Sequence, residues 1–130
     1  MRFDEDKHIA YDGQEFRIEW YVDAKGQSQA LDYANDMPEG HIGKFMHLLE
    51  VMGDIGRIHD KTKFRNEGDK IYAFKPQPHR FLCFFVDGKK IIIANGFYKD
   101  QDKLPQTEKD RAVKAREDYF KSVKEGDYYV

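Results

Sequence analysis

Apolar and polar side chains alternate along residues 16–22, which sets Phe16, Ile18, Trp20 and Val22 on one face of an extended segment. Lys25-Gly26 breaks that pattern. From Gln27 to Asn35 the spacing turns helical, with Ala30, Leu31 and Ala34 on a common side. Pro38 interrupts, and a second helical pattern opens at Gly40 or Gly43. It carries Ile42, Phe45, Met46, Leu49 and Met52 inward and is expected to end at Gly53 and Gly56. Residues 57–69 lose all apolar rhythm and read as a charged connection. Three short strands follow, in Ile71–Lys75, Arg80–Val86 and Ile91–Lys99. Asp87-Gly88 between the last two is a hairpin signal. The run Ile91-Ile92-Ile93-Ala94 predicts a central strand buried on both faces. Beyond Pro105, Thr107 with Asp110 three residues later marks a helix start, and Ala112, Ala115, Tyr119 and Val123 supply the helix's apolar side.

The order strand, two helices, three strands, helix predicts an α+β domain. Its N-terminal strand, helical hairpin, three-stranded antiparallel meander and C-terminal helix share one sheet. Residues 1–15, mostly polar, are expected to form a loosely held arm closing in an Asp12-Gly13 turn, and residues 16–125 the single domain. At 130 residues and 40% hydrophobic content the chain suits one modest core, in which aromatics, 15% of the sequence, weigh heavily. Apolar stretches stay far short of the ~20 residues of a membrane span. The acidic start, Met1-Arg2-Phe3-Asp4-Glu5-Asp6-Lys7, lacks the apolar segment of a secretory signal, so the expectation is a soluble, cytoplasmic protein without a membrane partner. Cys83 is the one cysteine, which excludes an intrachain disulfide, and its apolar neighbours predict a buried, inert thiol. Five histidines without paired spacing predict no metal site, and no cofactor is expected.

The formal net charge of −2 conceals a division. Residues 1–56 hold five Lys/Arg against twelve Asp/Glu, and residues 57–130 hold seventeen against twelve. The excess of cations in the second half points to an anionic partner there. Within it, Lys75, Arg80 and Lys99 stand where the three strands begin or end, as fixed charges at the edge of a rigid platform.

These residues also carry a resemblance. The pieces are Ile71-Tyr72-Ala73-Phe74-Lys75, then Arg80-Phe81-Leu82-Cys83-Phe84-Phe85, then Ile91 through Asn95-Gly96-Phe97-Tyr98-Lys99. Lys103-Leu104-Pro105 and a helix with Ala112, Arg116 and Tyr119 complete them. In that order they resemble the RelE/ParE toxin superfamily, and within it the HigB-like, phage-derived branch of type II toxin–antitoxin systems. The chain departs from that pattern at Lys75, where arginine is usual, at Asp100 and Asp102, and in its near-neutral charge. The resemblance implies a RelE-like fold and a cognate helix-turn-helix antitoxin. It also implies metal-independent cleavage of mRNA on the ribosome, by attack of a 2′-hydroxyl on the adjacent phosphate.

That reaction needs cations on the phosphorane, a base and an acid. Lys75 and Arg80 are candidates for the phosphate, with Lys99 beside them. Tyr98 is a candidate for stacking or proton donation and His79 for acid–base work. His59, Lys61, Lys63 and Arg65 of the charged connection are candidates for the RNA backbone. Plainer readings stand beside these: Lys75 as a solvated strand end, Arg80 as a structural ion-pair partner, His79 as turn surface. His41 and His47 are expected to lie far from the strand cations. The competing function is a noncatalytic RelE-fold phage or prophage accessory protein acting through protein partners. Inhibition of a topoisomerase, as in the ParE branch, is less favoured because it leaves the sheet cations without a role.

Overall fold

Period-two patterning yields one open six-stranded sheet in the computed structural model, which describes residues 2–100 and 102–130. Met1 of the expected arm and Gln101 of the expected domain lie outside the described residues. The strands are β1 (Ile9–Asp12), β2 (Arg17–Trp20), β3 (Phe64–Asn66), β4 (Tyr72–Phe74), β5 (His79–Val86) and β6 (Lys90–Tyr98). They lie in the order β1-β2-β6-β5-β4-β3, with β2 and β6 parallel and every other neighbour antiparallel. Helices α1 (Gln29–Asp36), α2 (Glu39–Ile55) and α3 (Gln106–Glu125) complete the mixed α+β architecture.

Side chains alternate across the sheet, so β4, β5 and β6 each feed two cores. Ile18, Trp20, Phe74, Phe81, Cys83, Ile91 and Ile93 face α1 and α2, where Phe45 stacks on Phe81 with ring centroids 3.9 Å apart. Ile92, Ala94, Leu82, Phe84 and Ala73 face the other way, against Ala112, Ala115 and Tyr119 of α3. The isoleucine run is therefore buried on both faces. Cys83 lies fully within the first core, and burial pushes its thiol pKa far above the usual range.

Two strands exceed the expectation from sequence. β1 comes from the supposed arm, and β3 from the supposed charged connection; both are short edge strands whose outward faces carry little apolar signal. The arm is also held by Phe3, buried against Trp20 and Phe45. The Phe3 backbone N–H donates to Asn35 Oδ1 (2.8 Å) and Asn35 Nδ2 donates to the Phe3 carbonyl (3.1 Å). Helix boundaries differ as well. Gly53 does not end α2 but lies inside it, where the carbonyl accepts from the Glu15 and Phe16 N–H groups (2.7 and 2.9 Å). A Cβ at Gly53 would meet the Tyr11 ring at 2.5 Å, so glycine is required by close approach of the β1–β2 hairpin. Thr107 is not the cap of α3 either: the helix begins at Gln106 behind Pro105, a residue pre-set for a first turn.

The far end of the chain is anchored to the α3 face. Tyr129 Oη donates to Glu19 Oε1 (2.7 Å), a carboxylate buried on β2, and shares a 2.6 Å contact with Tyr119 Oη. No helix among the described residues is long and apolar enough to cross a membrane.

Candidate functional site

β4, β5 and β6 reach one end of the sheet together, because His79 pairs with Tyr98 and Phe74 with Phe81 across the ladders. Alternation decides what each contributes. Ala73 faces α3, so Lys75, two residues on, is turned to the same side. Arg80 shares the face of Leu82 and Phe84, and Arg65 is paired with Ala73 across β3 and β4. The result is a cleft of about 230 Å³ lined by Arg65, Glu67, Lys75, Arg80, Lys99, Asp102, Lys103 and Leu104. Lys75, Arg80 and Lys99, singled out from sequence, thus share one wall.

Arg80 is 5% exposed, and its Nη1 donates to the His79 carbonyl (2.8 Å) and to Gln77 Oε1 (3.1 Å). Burial lowers its pKa from the ordinary arginine value, and the nearby Glu67 charge opposes that shift. Lys75 Nζ donates to the Lys61 carbonyl (3.1 Å). Burial pulls its pKa below the ordinary lysine range, the Arg80 and Lys99 charges pull it further, and Glu67 pushes back. Arg65 Nε lies 3.9 Å from Glu67 Oε1. Among the described residues Lys75, Arg80 and Lys99 form no ion pair with a carboxylate. Cations held together, partly desolvated and only partly offset by the Glu67 and Asp102 carboxylates of the same cleft, create a local demand for an anion.

His79 and Tyr98 are elsewhere. Each is next in sequence to a cleft residue, and adjacent residues of a strand point to opposite faces. His79 is buried on the α1/α2 side, not at the surface as the turn sequence suggested. Its Nδ1 meets Tyr33 Oη at 2.7 Å and its Nε2 meets His41 Nδ1 at 2.9 Å. Burial, then His41, Arg80 and Lys44, lower its pKa, which favours the neutral ring. His41, expected to be remote, is therefore a direct neighbour of the strand ends. Tyr98 is 60% exposed, its ring nearly perpendicular to that of His79 with centroids 6.0 Å apart. Neither residue lines the cleft.

The four candidates of the charged connection also divide. Arg65 enters the cleft. Lys63 lines a second recess, on the α2 side of the same sheet end. Lys61 is exposed and contributes the carbonyl that Lys75 holds; His59 is exposed and outside both recesses. Glu67 escaped the sequence reading because β3 was not recognised. The sequence carried no signal for it, because Phe64 is followed by three polar residues; only the pairing of β3 with β4 shows that Arg65 and Glu67, two positions apart, share a face. Among the described residues no group of three or more His, Cys, Asp or Glu is arranged to hold a metal ion.

Chemically, the cleft offers a phosphodiester several cations and the carboxylates of Glu67 and Asp102 as proton acceptors. Comparison with curated proteins gives no match to the chain. Residues 32–117, from within α1 into α3, match the model of the family described as Phage derived protein Gp49-like (DUF891), and the chain belongs to that family, itself part of the RelE/ParE-like toxin superfamily.

Proposed function

We propose that this protein is the toxin of a type II toxin–antitoxin pair of the HigB-like branch, a ribosome-dependent endoribonuclease that needs no metal. The observation carrying this reading is the shared cleft of Lys75, Arg80 and Lys99, unpaired and partly desolvated, in a chain of this family. Glu67 takes the proton from the RNA 2′-hydroxyl as that oxygen attacks phosphorus. Arg80 and Lys99 stabilise the charge that develops on the phosphorane oxygens. The bond from phosphorus to the 5′-oxygen breaks, and Lys75, whose proton is held less tightly than in a free lysine, protonates the leaving oxygen. The products are a 2′,3′-cyclic phosphate and a 5′-hydroxyl. A cognate helix-turn-helix antitoxin that covers the cleft keeps the activity in check in the cytoplasm.

A second reading, a noncatalytic phage or prophage accessory protein that works through protein partners, draws support from Glu67 and Asp102. Both line the cleft and offset part of its charge. Induced expression in bacteria separates the two. The toxin reading expects growth arrest by the wild type and transcripts cut inside reading frames, with both lost in the double variant Lys75→Met, Lys99→Met. Unimpaired growth and intact transcripts with the wild type would favour the accessory protein.

A further inference from the structure

The segment Lys75-Pro76-Gln77-Pro78 that joins β4 to β5 is a wall with a recess on each side. On one side is the cationic cleft. On the other is a separate recess of about 300 Å³, floored by Leu48 and Pro76 and rimmed by Lys44, His47, Thr62, Lys63 and Gln77, so that His47, expected far from the strand cations, shares a recess with Lys75. Lys75 lines both. Gln77 links them through hydrogen bonds: its Oε1 accepts from Arg80 Nη1 of the cleft (3.1 Å), and its Nε2 donates to the Thr62 carbonyl at the recess (3.3 Å).

Three properties of the recess point to one kind of occupant. Its surface is mainly apolar, which suits the flat face of a heterocycle. Its rim carries Lys44, Lys63 and Lys75 and no carboxylate; Asp60 nearby is engaged by the Thr62 N–H (2.9 Å) and hydroxyl (2.6 Å). An anionic chain that leaves the cleft over Lys75 therefore meets complementary charge along the recess. Its volume lies at the lower limit for small-molecule sites, enough for one nucleoside and too small for two. We propose that this recess binds the nucleoside next to the phosphate held in the cleft, and that base preference at the cut is set there by the Thr62 and Gln77 polar groups over the Leu48–Pro76 floor. Lys44 then anchors the flanking phosphate. This assignment rests on the ribonuclease reading of the cleft, but binding tests it without cleavage.

The experiment follows backbone amide resonances of the full-length protein during titration with inorganic phosphate and, separately, with each nucleoside 3′,5′-bisphosphate, which carries both the cleft phosphate and the flanking one. Inorganic phosphate is expected to shift cleft residues, Arg80 and Lys99 among them, and to leave Lys44 and Leu48 unmoved. The nucleotides are expected to shift the cleft residues and also Lys44, Leu48 and Thr62, by amounts that differ among the four bases. Lys44→Glu, an exposed change on α2, is expected to weaken nucleotide binding at least tenfold and phosphate binding less than twofold; Lys44→Arg restores the former. Nucleotide and phosphate perturbing the same cleft residues, with the recess silent, would overturn the recess assignment and leave the ribonuclease reading standing. Silence at both recess and cleft would overturn both.

Discussion

Replacing Arg80 by methionine separates a structural arginine from a chemical one. Methionine keeps most of the aliphatic stem in place at a position only 5% exposed, so the packing beside the α3 core is largely retained. Two hydrogen bonds are lost. Gln77 is exposed and finds water, but the His79 carbonyl loses a 2.8 Å donor next to a buried ring. Leaving one buried acceptor unsatisfied costs about 1–3 kcal/mol. Removing a desolvated charge that repels Lys75 recovers part of that. A net loss of about 1–2 kcal/mol, or a melting point lower by roughly 3–8 °C, follows for a domain of this size. The activity loss is expected to be far larger. Deleting a preorganised donor to a developing oxyanion typically costs about 10²–10³ in rate. Single-turnover cleavage of ribosome-bound mRNA and thermal unfolding, measured on the same preparation, test the two effects together. A folded Arg80→Met protein that cleaves within threefold of wild type would refute the role of this guanidinium. Arg80→Ala is a poorer probe than a strand-edge position would suggest, because the shorter side chain also opens a cavity at a buried site.

Two further expectations test the packing. Alanine at Gly53 gains about 1 kcal/mol of helix propensity, yet its Cβ would lie 2.5 Å from the ring of Tyr11, which Asp54 holds by a 2.5 Å hydrogen bond. Overpacking of about 1–3 kcal/mol outweighs the gain, so urea unfolding should show Gly53→Ala destabilised. Gly43→Ala, on the same helix with open space around it, should be stabilised by up to about 1 kcal/mol; a Gly53→Ala variant stabilised like Gly43→Ala would contradict the close contact. Burial raises the pKa values of Tyr119, Tyr128 and Tyr129, and in Tyr129 the bonds to Tyr119 and Glu19 add to it. The folded state therefore binds these protons more tightly than the unfolded chain, whose phenols titrate near ~10. Stability should hold up to about pH 10 and fall as pH rises beyond it, less steeply in Tyr129→Phe. Identical pH profiles for the two proteins would show that the tail tyrosine is not coupled to folding.

The sequence read best where burial imposes a period. β5 and β6 have core on both faces, so their residues declare themselves as strands, and the 3.6-residue spacing of Ala30, Leu31 and Ala34 does the same for α1. β1 and β3 were missed because an edge strand of three or four residues has too few apolar positions to reveal a period. That omission hid Glu67, whose place in the cleft depends on β3 pairing with β4. His79 does not group with Arg80, nor Tyr98 with Lys99, for a simpler reason: neighbours in a regular stretch of strand point to opposite faces. Gly53 read as a stop because the hairpin that presses against it, from residues 11–16, is distant in sequence.

The ends left on cleaved RNA test the central claim most directly. Purified protein is mixed with ribosomes programmed with a short labelled mRNA, and the termini at each cut are identified chemically. Transfer of the proton from the 2′-hydroxyl and departure of the 5′-oxygen predict 2′,3′-cyclic phosphate and 5′-hydroxyl ends, absent when Arg80 is methionine. Uncut mRNA with the wild type, or cuts that leave a 3′-hydroxyl and a 5′-phosphate, would contradict the chemistry assigned to this cleft.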